Sequence, residues 1–177
     1  MSCTIVSCYY NIKSKFPSEK YFEWISNFLK LRIQLVLFTD ELLVDSFKQL
    51  NKKANIHFII KPFHELTTWK LYAEQWKKHH EMDPEKYHQP ELYSIWAEKS
   101  FFVREAVDLN PFGSEFFFWC DIGAFRNPIE IKKFIRPINT SVFPDNSILF
   151  SSVQQLTHFE KRPCPKNHNI LGNFDHT

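Results

Sequence analysis

The chain predicts an α/β fold, a mostly parallel open sheet flanked by helices, and three observations carry that expectation. Short apolar runs of strand length alternate with amphipathic helical stretches. The connections between successive runs are long enough for crossover helices. Two runs, Leu35-Val36-Leu37-Phe38-Thr39 and Phe116-Phe117-Phe118-Trp119, are apolar without alternation, as strands buried on both faces are.

Taken in order, Thr4 to Tyr10 is β-branched and aromatic and predicts a first strand ending at Asn11. Tyr21, Phe22, Ile25, Phe28 and Leu29 recur at helical spacing, which predicts a helix from Ser18 to Leu31 with Ser18 as N-cap. The Leu35 run is a second strand that ends on Asp40, and Leu42, Leu43, Phe47 and Leu50 mark the helix after it. Ile56 to Ile60 is a third strand, stopped by Pro62. Leu66 to Lys78 carries Trp69, Tyr72, Ala73 and Trp76 on one helical face, and Met82 to Pro90 is a polar loop. Leu92 to Val107 is a long helix broken by Asn110-Pro111. The Phe116 run is the fourth strand, and Ser147 to Val153 is expected as a fifth. Pro163 and Pro165 mark an irregular tail, and Asn169 to Thr177 lacks a closing element, so the fold reads as cut short at its carboxyl end.

With 177 residues, 44% of them hydrophobic, the chain has material for one globular domain, residues 1–177. A formal net charge of +2 argues against a nucleic-acid partner, and Lys77-Lys78-His79-His80 reads as the solvated end of a helix. The first residues lack the basic and apolar regions of a signal peptide, and no stretch has the roughly 18 apolar residues of a membrane span. A cytoplasmic location with reduced Cys3, Cys8, Cys120 and Cys164 is therefore expected.

Glycine numbers only 3, and Gly113, Gly123 and Gly172 stand too far apart for a dinucleotide fingerprint or a P-loop. Any diphosphate must then be neutralised by a metal ion and cationic side chains instead. His64, His79, His80 and His88 fit neither His-Glu-x-x-His nor a zinc finger, and there is no Gly-x-Ser-x-Gly elbow for a serine hydrolase. What remains is Asp121, an acid delivered by a buried strand to the rim where α/β sheets bind ligands, next to an unobstructing Gly123 and placed to hold a divalent cation or a ribose hydroxyl, although it reads equally as the cap of the next turn. Parallel strands bring Asp40 to the same rim. Lys99 and Arg126 are the basic residues placed to join them, although Glu98 and Lys99 also read as an exposed pair and Arg126 as a partner of Glu130.

Trp96-Ala-Glu-Lys99, Asn110-Pro-Phe-Gly-Ser114 and Phe118-Trp-Cys-Asp-Ile-Gly-Ala-Phe-Arg126, preceded by Tyr10-Asn-Ile12, Phe38-Thr-Asp40 and Lys61-Pro-Phe63, resemble the HtrL/YibB family. That family is similar to GT-A-type glycosyltransferases and is associated with assembly of surface polysaccharide or lipopolysaccharide. The resemblance spans about residues 4–126 and implies a GT-A-like fold that binds a nucleotide sugar and Mn2+ or Mg2+, with a glycan or glycolipid acceptor. On this sequence it makes Asp121 the catalytic and metal-binding acid, with Gly123 where such enzymes carry a second acid. Tyr9, Tyr10 and Asn11 would meet the base, Asp40 the base or ribose, and Lys99 and Arg126 the diphosphate. His176, or Asp175, would be the late metal ligand, and the acceptor-side part would be missing. The alternative is a non-catalytic module that binds the nucleotide sugar or serves as a scaffold.

Overall fold

A computed structural model describes residues 2–51, 55–84, 87–133 and 140–142. Contacts divide the chain into two units, Met1–Thr140 and Ser141–Thr177, and the sheet lies in the first. Among the described residues the architecture is the expected α/β one: a four-stranded, all-parallel sheet in the order β3-β2-β1-β4. The strands are β1 (Cys3–Tyr9), β2 (Gln34–Thr39), β3 (Ile56–Ile60) and β4 (Phe116–Trp119). The expected fifth strand, 147–153, lies outside the described residues.

Burial explains the strand sequences. β1 and β2 are central and almost wholly buried, which requires apolar residues on both faces, while the edge strands β3 and β4 are half-buried. Polar residues within β1 and β2 find partners between strands. Thr39 Oγ1 donates to the Tyr9 carbonyl at 2.9 Å, and Ser7 Oγ donates to the Cys120 carbonyl at 2.6 Å.

Alternation along β1 and β2 builds two cores. Ile5, Tyr9, Leu35 and Leu37 face helices α1 (Ser18–Phe28) and α2 (Glu41–Leu50), with Ile25, Phe28 and Phe47 packed against them. Val6, Cys8, Tyr10, Val36 and Phe38 face α4 (Pro90–Leu109) through Ile95, Phe102 and Ala106. Phe28, Phe38, Phe47 and Phe102 are each under 2% exposed, and burying such a side chain contributes about 1.5–3 kcal/mol. The first two crossovers thus cover one face and the third covers the other, as right-handed wiring demands once strand addition reverses direction.

Helix ends differ from expectation in ways that proline explains. Pro17, not Ser18, is the N-cap of α1: its fixed φ of −67° holds the extended entry, and its carbonyl accepts from Lys20 N–H at 3.0 Å. α1 ends at Phe28, although Leu29 and Leu31 beyond it remain buried. The helix α3 (Thr67–Met82) runs past Lys78 into the expected loop, and α4 starts at Pro90, where the first turn needs no N–H. α3 packs on α4 rather than on the sheet and bends at Tyr72, and the Trp76 indole donates to the Thr68 carbonyl at 3.1 Å. Asn110 closes α4 in the left-handed region, φ 37°, and its side chain bonds both the N–H and the carbonyl of Ser114. A short helix, α5 (Pro128–Lys133), follows β4 against α1 and has no counterpart in the sequence reading.

Candidate functional site

Strand order reverses between β1 and β4, and in open α/β sheets ligands bind at such a switch point, beyond the carboxyl ends of the strands. β4 ends beside Val6 of β1, and the Cys120 N–H still bonds the Val6 carbonyl at 3.1 Å. The chain then leaves the sheet in a turn closed from Ala124 N–H to the Asp121 carbonyl at 2.9 Å. Ile122 and Phe125 anchor that turn by burial on the α1 side, where the Phe125 carbonyl accepts from Asn27 Nδ2 at 3.3 Å. Asp121 is left at the switch point with its side chain 64% exposed.

One carboxylate oxygen there is fully engaged. Asp121 Oδ1 accepts from Lys99 Nζ at 2.9 Å and from the Trp119 indole at 2.9 Å. The Lys99 ammonium also lies 5.5 Å from the Trp119 ring centre, within range of a cation–π attraction. Neither Oδ2 nor the remaining ammonium N–H groups take a further partner among the described residues. Lys99 is oriented from behind by its neighbour. Glu98 is fully buried, and its two oxygens accept the backbone N–H groups of Thr67 at 2.9 Å and Thr68 at 2.7 Å, at the start of α3. Thr68 Oγ1 adds a 2.9 Å bond to the Ser94 carbonyl. The reading of Glu98 and Lys99 as an exposed pair is therefore wrong: one residue locks two helices together and the next reaches the rim.

The other expected residues are spread around this point. Asp40 lies at the carboxyl end of β2, separated from β4 by β1, so about 10 Å of sheet width divides it from Asp121. Its Oδ1 accepts from Phe63 N–H at 3.2 Å and holds the turn after β3. Tyr9 and Tyr10 point to opposite faces. The Tyr9 ring is buried among Tyr21, Phe22 and Phe47, and the Tyr10 ring between Phe63 and Phe102. The Tyr10 hydroxyl is buried with no hydrogen-bond partner among the described residues, and burial first, then Cys8, Asp40, Glu98 and Glu105, push its pKa up. Asn11 is exposed on the rim. Arg126 is exposed, with its guanidinium 4.8 Å from the Trp24 ring centre and 5.9 Å from that of Phe16. Lys15, in the same β1–α1 loop as Phe16, lies 5.1 Å from the Tyr87 ring centre, which links that loop to the one before α4.

Two thiols, Cys8 and Cys120, lie beneath the rim. Burial, reinforced by Asp121 and opposed by Lys99, pushes Cys8 up, and the same causes push Cys120 up to about 11. A narrow, mostly apolar hollow between Ile5, Phe28, Leu31, Leu35 and Asn55 lies at the opposite, amino end of the sheet.

Among the described residues no three His, Cys, Asp or Glu side chains converge, and Asp121 keeps one free oxygen. Gly123 has no steric reason to be glycine, since a Cβ there would meet only Trp24 Cε3 at 3.5 Å. His176 and Asp175, the late ligands of the expectation, lie outside the described residues. No described helix is long and apolar enough to cross a membrane.

Sequence reasoning missed Glu98 and Trp119, although Glu98 falls in the buried stripe Ile95, Phe102 and Ala106 at helical spacing, which was signal enough. Set against family models, curated proteins and solved structures, the chain matches none.

Proposed function

We propose that the chain binds a nucleotide-activated sugar at the β1/β4 switch point and transfers the sugar to a glycan or lipopolysaccharide-type acceptor. The observation that carries this is the exposed Asp121 at a parallel strand's carboxyl end, paired with the half-buried Lys99 of α4, in the position where α/β sheets take up nucleotides. With only 3 glycines in the chain, no backbone cradle meets a diphosphate, so side chains must. Lys99, Arg126 and Lys15 come from three segments around the rim and supply positive charge, and the exposed Asn11 offers hydrogen bonds to a base or ribose. Catalysis would then be electrostatic: Lys99 stabilises the charge that develops on the departing nucleoside diphosphate.

Calorimetric titration of UDP- and GDP-sugars into wild type and Lys99→Glu tests the binding. One of the two nucleotides should bind wild type, and the charge reversal should abolish it. Failure of both to bind wild type, or equal binding to the variant, ends the proposal.

A second reading, a module that binds the donor without turning it over, is favoured by the engagement of Asp121, whose Oδ1 is held by Lys99 and Trp119. Nucleoside diphosphate released above a buffer control, with or without an acceptor glycan, eliminates it.

A further inference from the structure

The candidate site joins an exposed carboxylate, which a divalent cation would need, to an ammonium already sitting on it. Lys99 Nζ is 2.9 Å from Asp121 Oδ1, and Trp119 donates to the same oxygen at 2.9 Å. A metal ion arriving at Asp121 would have to displace the lysine or share a single remaining oxygen. Among the described residues no three His, Cys, Asp or Glu side chains gather into a group that could hold a metal ion. An ammonium has three N–H donors, and one is used on Asp121, so the others stay available to ligand oxygens. Lys99 is also held from three sides: Asp121 fixes its tip, Trp119 lies 5.5 Å beneath it, and Glu98 ties its backbone segment to the start of α3. A lysine restrained in this way has lost much of the rotamer freedom that ordinarily weakens a lysine–phosphate contact.

We propose that Lys99 stands in the place of the divalent cation, so that the rim takes up a nucleoside diphosphate without metal. Asp121 then serves as the anchor that aims the ammonium, and it is not a metal ligand. Gly123 is consistent with this, because the backbone there would accept the second acid of a metal-binding pair and the chain does not supply one. The inference rests on the nucleotide-binding reading above, and its test separates the two.

UDP and GDP are titrated by calorimetry into the full chain in excess EDTA and in saturating Mn2+, for wild type and Lys99→Met. In wild type the affinity in EDTA should lie within about threefold of that in Mn2+. Lys99→Met, which keeps most of the apolar stem, should lose about tenfold or more in EDTA. Wild-type binding that appears only with Mn2+ overturns the inference and leaves the nucleotide reading standing. Absence of binding in either buffer sinks the nucleotide reading and, with it, this use of Lys99. Mn2+ alone, followed by electron paramagnetic resonance, gives a readout without nucleotide. Wild type should show no Mn2+ binding that depends on Asp121, and a Mn2+ site in wild type that Asp121→Asn removes overturns the proposal.

Discussion

Glu98→Gln is the substitution for which the structure gives the sharpest expectation. The side chain is fully buried, and each oxygen accepts one backbone N–H at the start of α3, from Thr67 at 2.9 Å and Thr68 at 2.7 Å. Hydrogen bonds to a charged group contribute about 1.5–3 kcal/mol net, and a stranded buried donor costs about 1–3 kcal/mol. Glutamine preserves the volume and one acceptor, but it turns an NH2 donor toward an N–H donor. One bond is lost and a donor is stranded, for a destabilisation of about 2–4 kcal/mol. Glu98→Ala, which orphans both N–H groups and leaves a cavity, should cost about 3–5 kcal/mol. A domain with an ordinary stability of about 5–15 kcal/mol survives the first change and stays measurable. Urea unfolding followed by tryptophan fluorescence gives the difference, provided the m-value is unchanged. Trp69 and Trp76 in α3 and Trp96 in α4 report on the two helices that Glu98 joins. A Glu98→Gln variant within about 0.5 kcal/mol of wild type would refute the assignment of Glu98 as the bond between α3 and α4.

Three further outcomes follow from the same geometry. Tyr10→Phe removes a buried hydroxyl that has no partner among the described residues, so urea unfolding should find the variant equal to wild type or more stable by up to about 1 kcal/mol; a loss above that would mean the hydroxyl is bonded. Phe102→Ala empties a fully buried position that touches Tyr10, Phe38 and Trp119 and should cost about 3–5 kcal/mol in the same assay, while a loss below about 1 kcal/mol would contradict the packing. Cys8, Cys120, Tyr9 and Tyr10 all hold their protons more tightly folded than unfolded, mainly through burial. The unfolded chain therefore releases protons first, and stability, fully present below pH 9.0, should fall as pH rises from there toward the Cys120 value of about 11. A urea midpoint that stays flat across that range would contradict the burial of these groups.

Much of this fold is legible in the sequence because the strands announce themselves twice, by apolar runs and by what ends them. Phe116 to Trp119 is delimited as a strand in both sequence and structure, because Ser114 and Cys120-Asp121 bracket four bulky apolar residues too few for a helix. The helix boundaries were less legible, since they depend on local backbone choices: Pro17 fixes the entry to α1 from outside the periodic pattern, and α3 continues through residues polar enough to resemble a loop. Strand order is a tertiary property, and no local signal separates β4 beside β1 from β4 beside β3. The site divides in the same way. Asp121 at a strand end followed from the sequence, whereas its bond to Lys99 depends on how α4 crosses the sheet. The two tyrosines show why adjacency along a strand misleads: alternation sends Tyr9 and Tyr10 into different cores and leaves neither ring on the rim where both were expected.

Entry of a nucleotide sugar at the switch point beside Asp121 would be reported by the Trp119 indole N–H, which is bonded to that carboxylate at 2.9 Å. In a proton–nitrogen correlation spectrum of labelled protein, with the Trp119 signal assigned through Trp119→Phe, a UDP- or GDP-sugar should move the Trp119 indole peak. The Trp76 indole, bonded to the Thr68 carbonyl within α3, should stay in place. A Trp119 peak unmoved by either nucleotide sugar at saturating concentration would contradict the account.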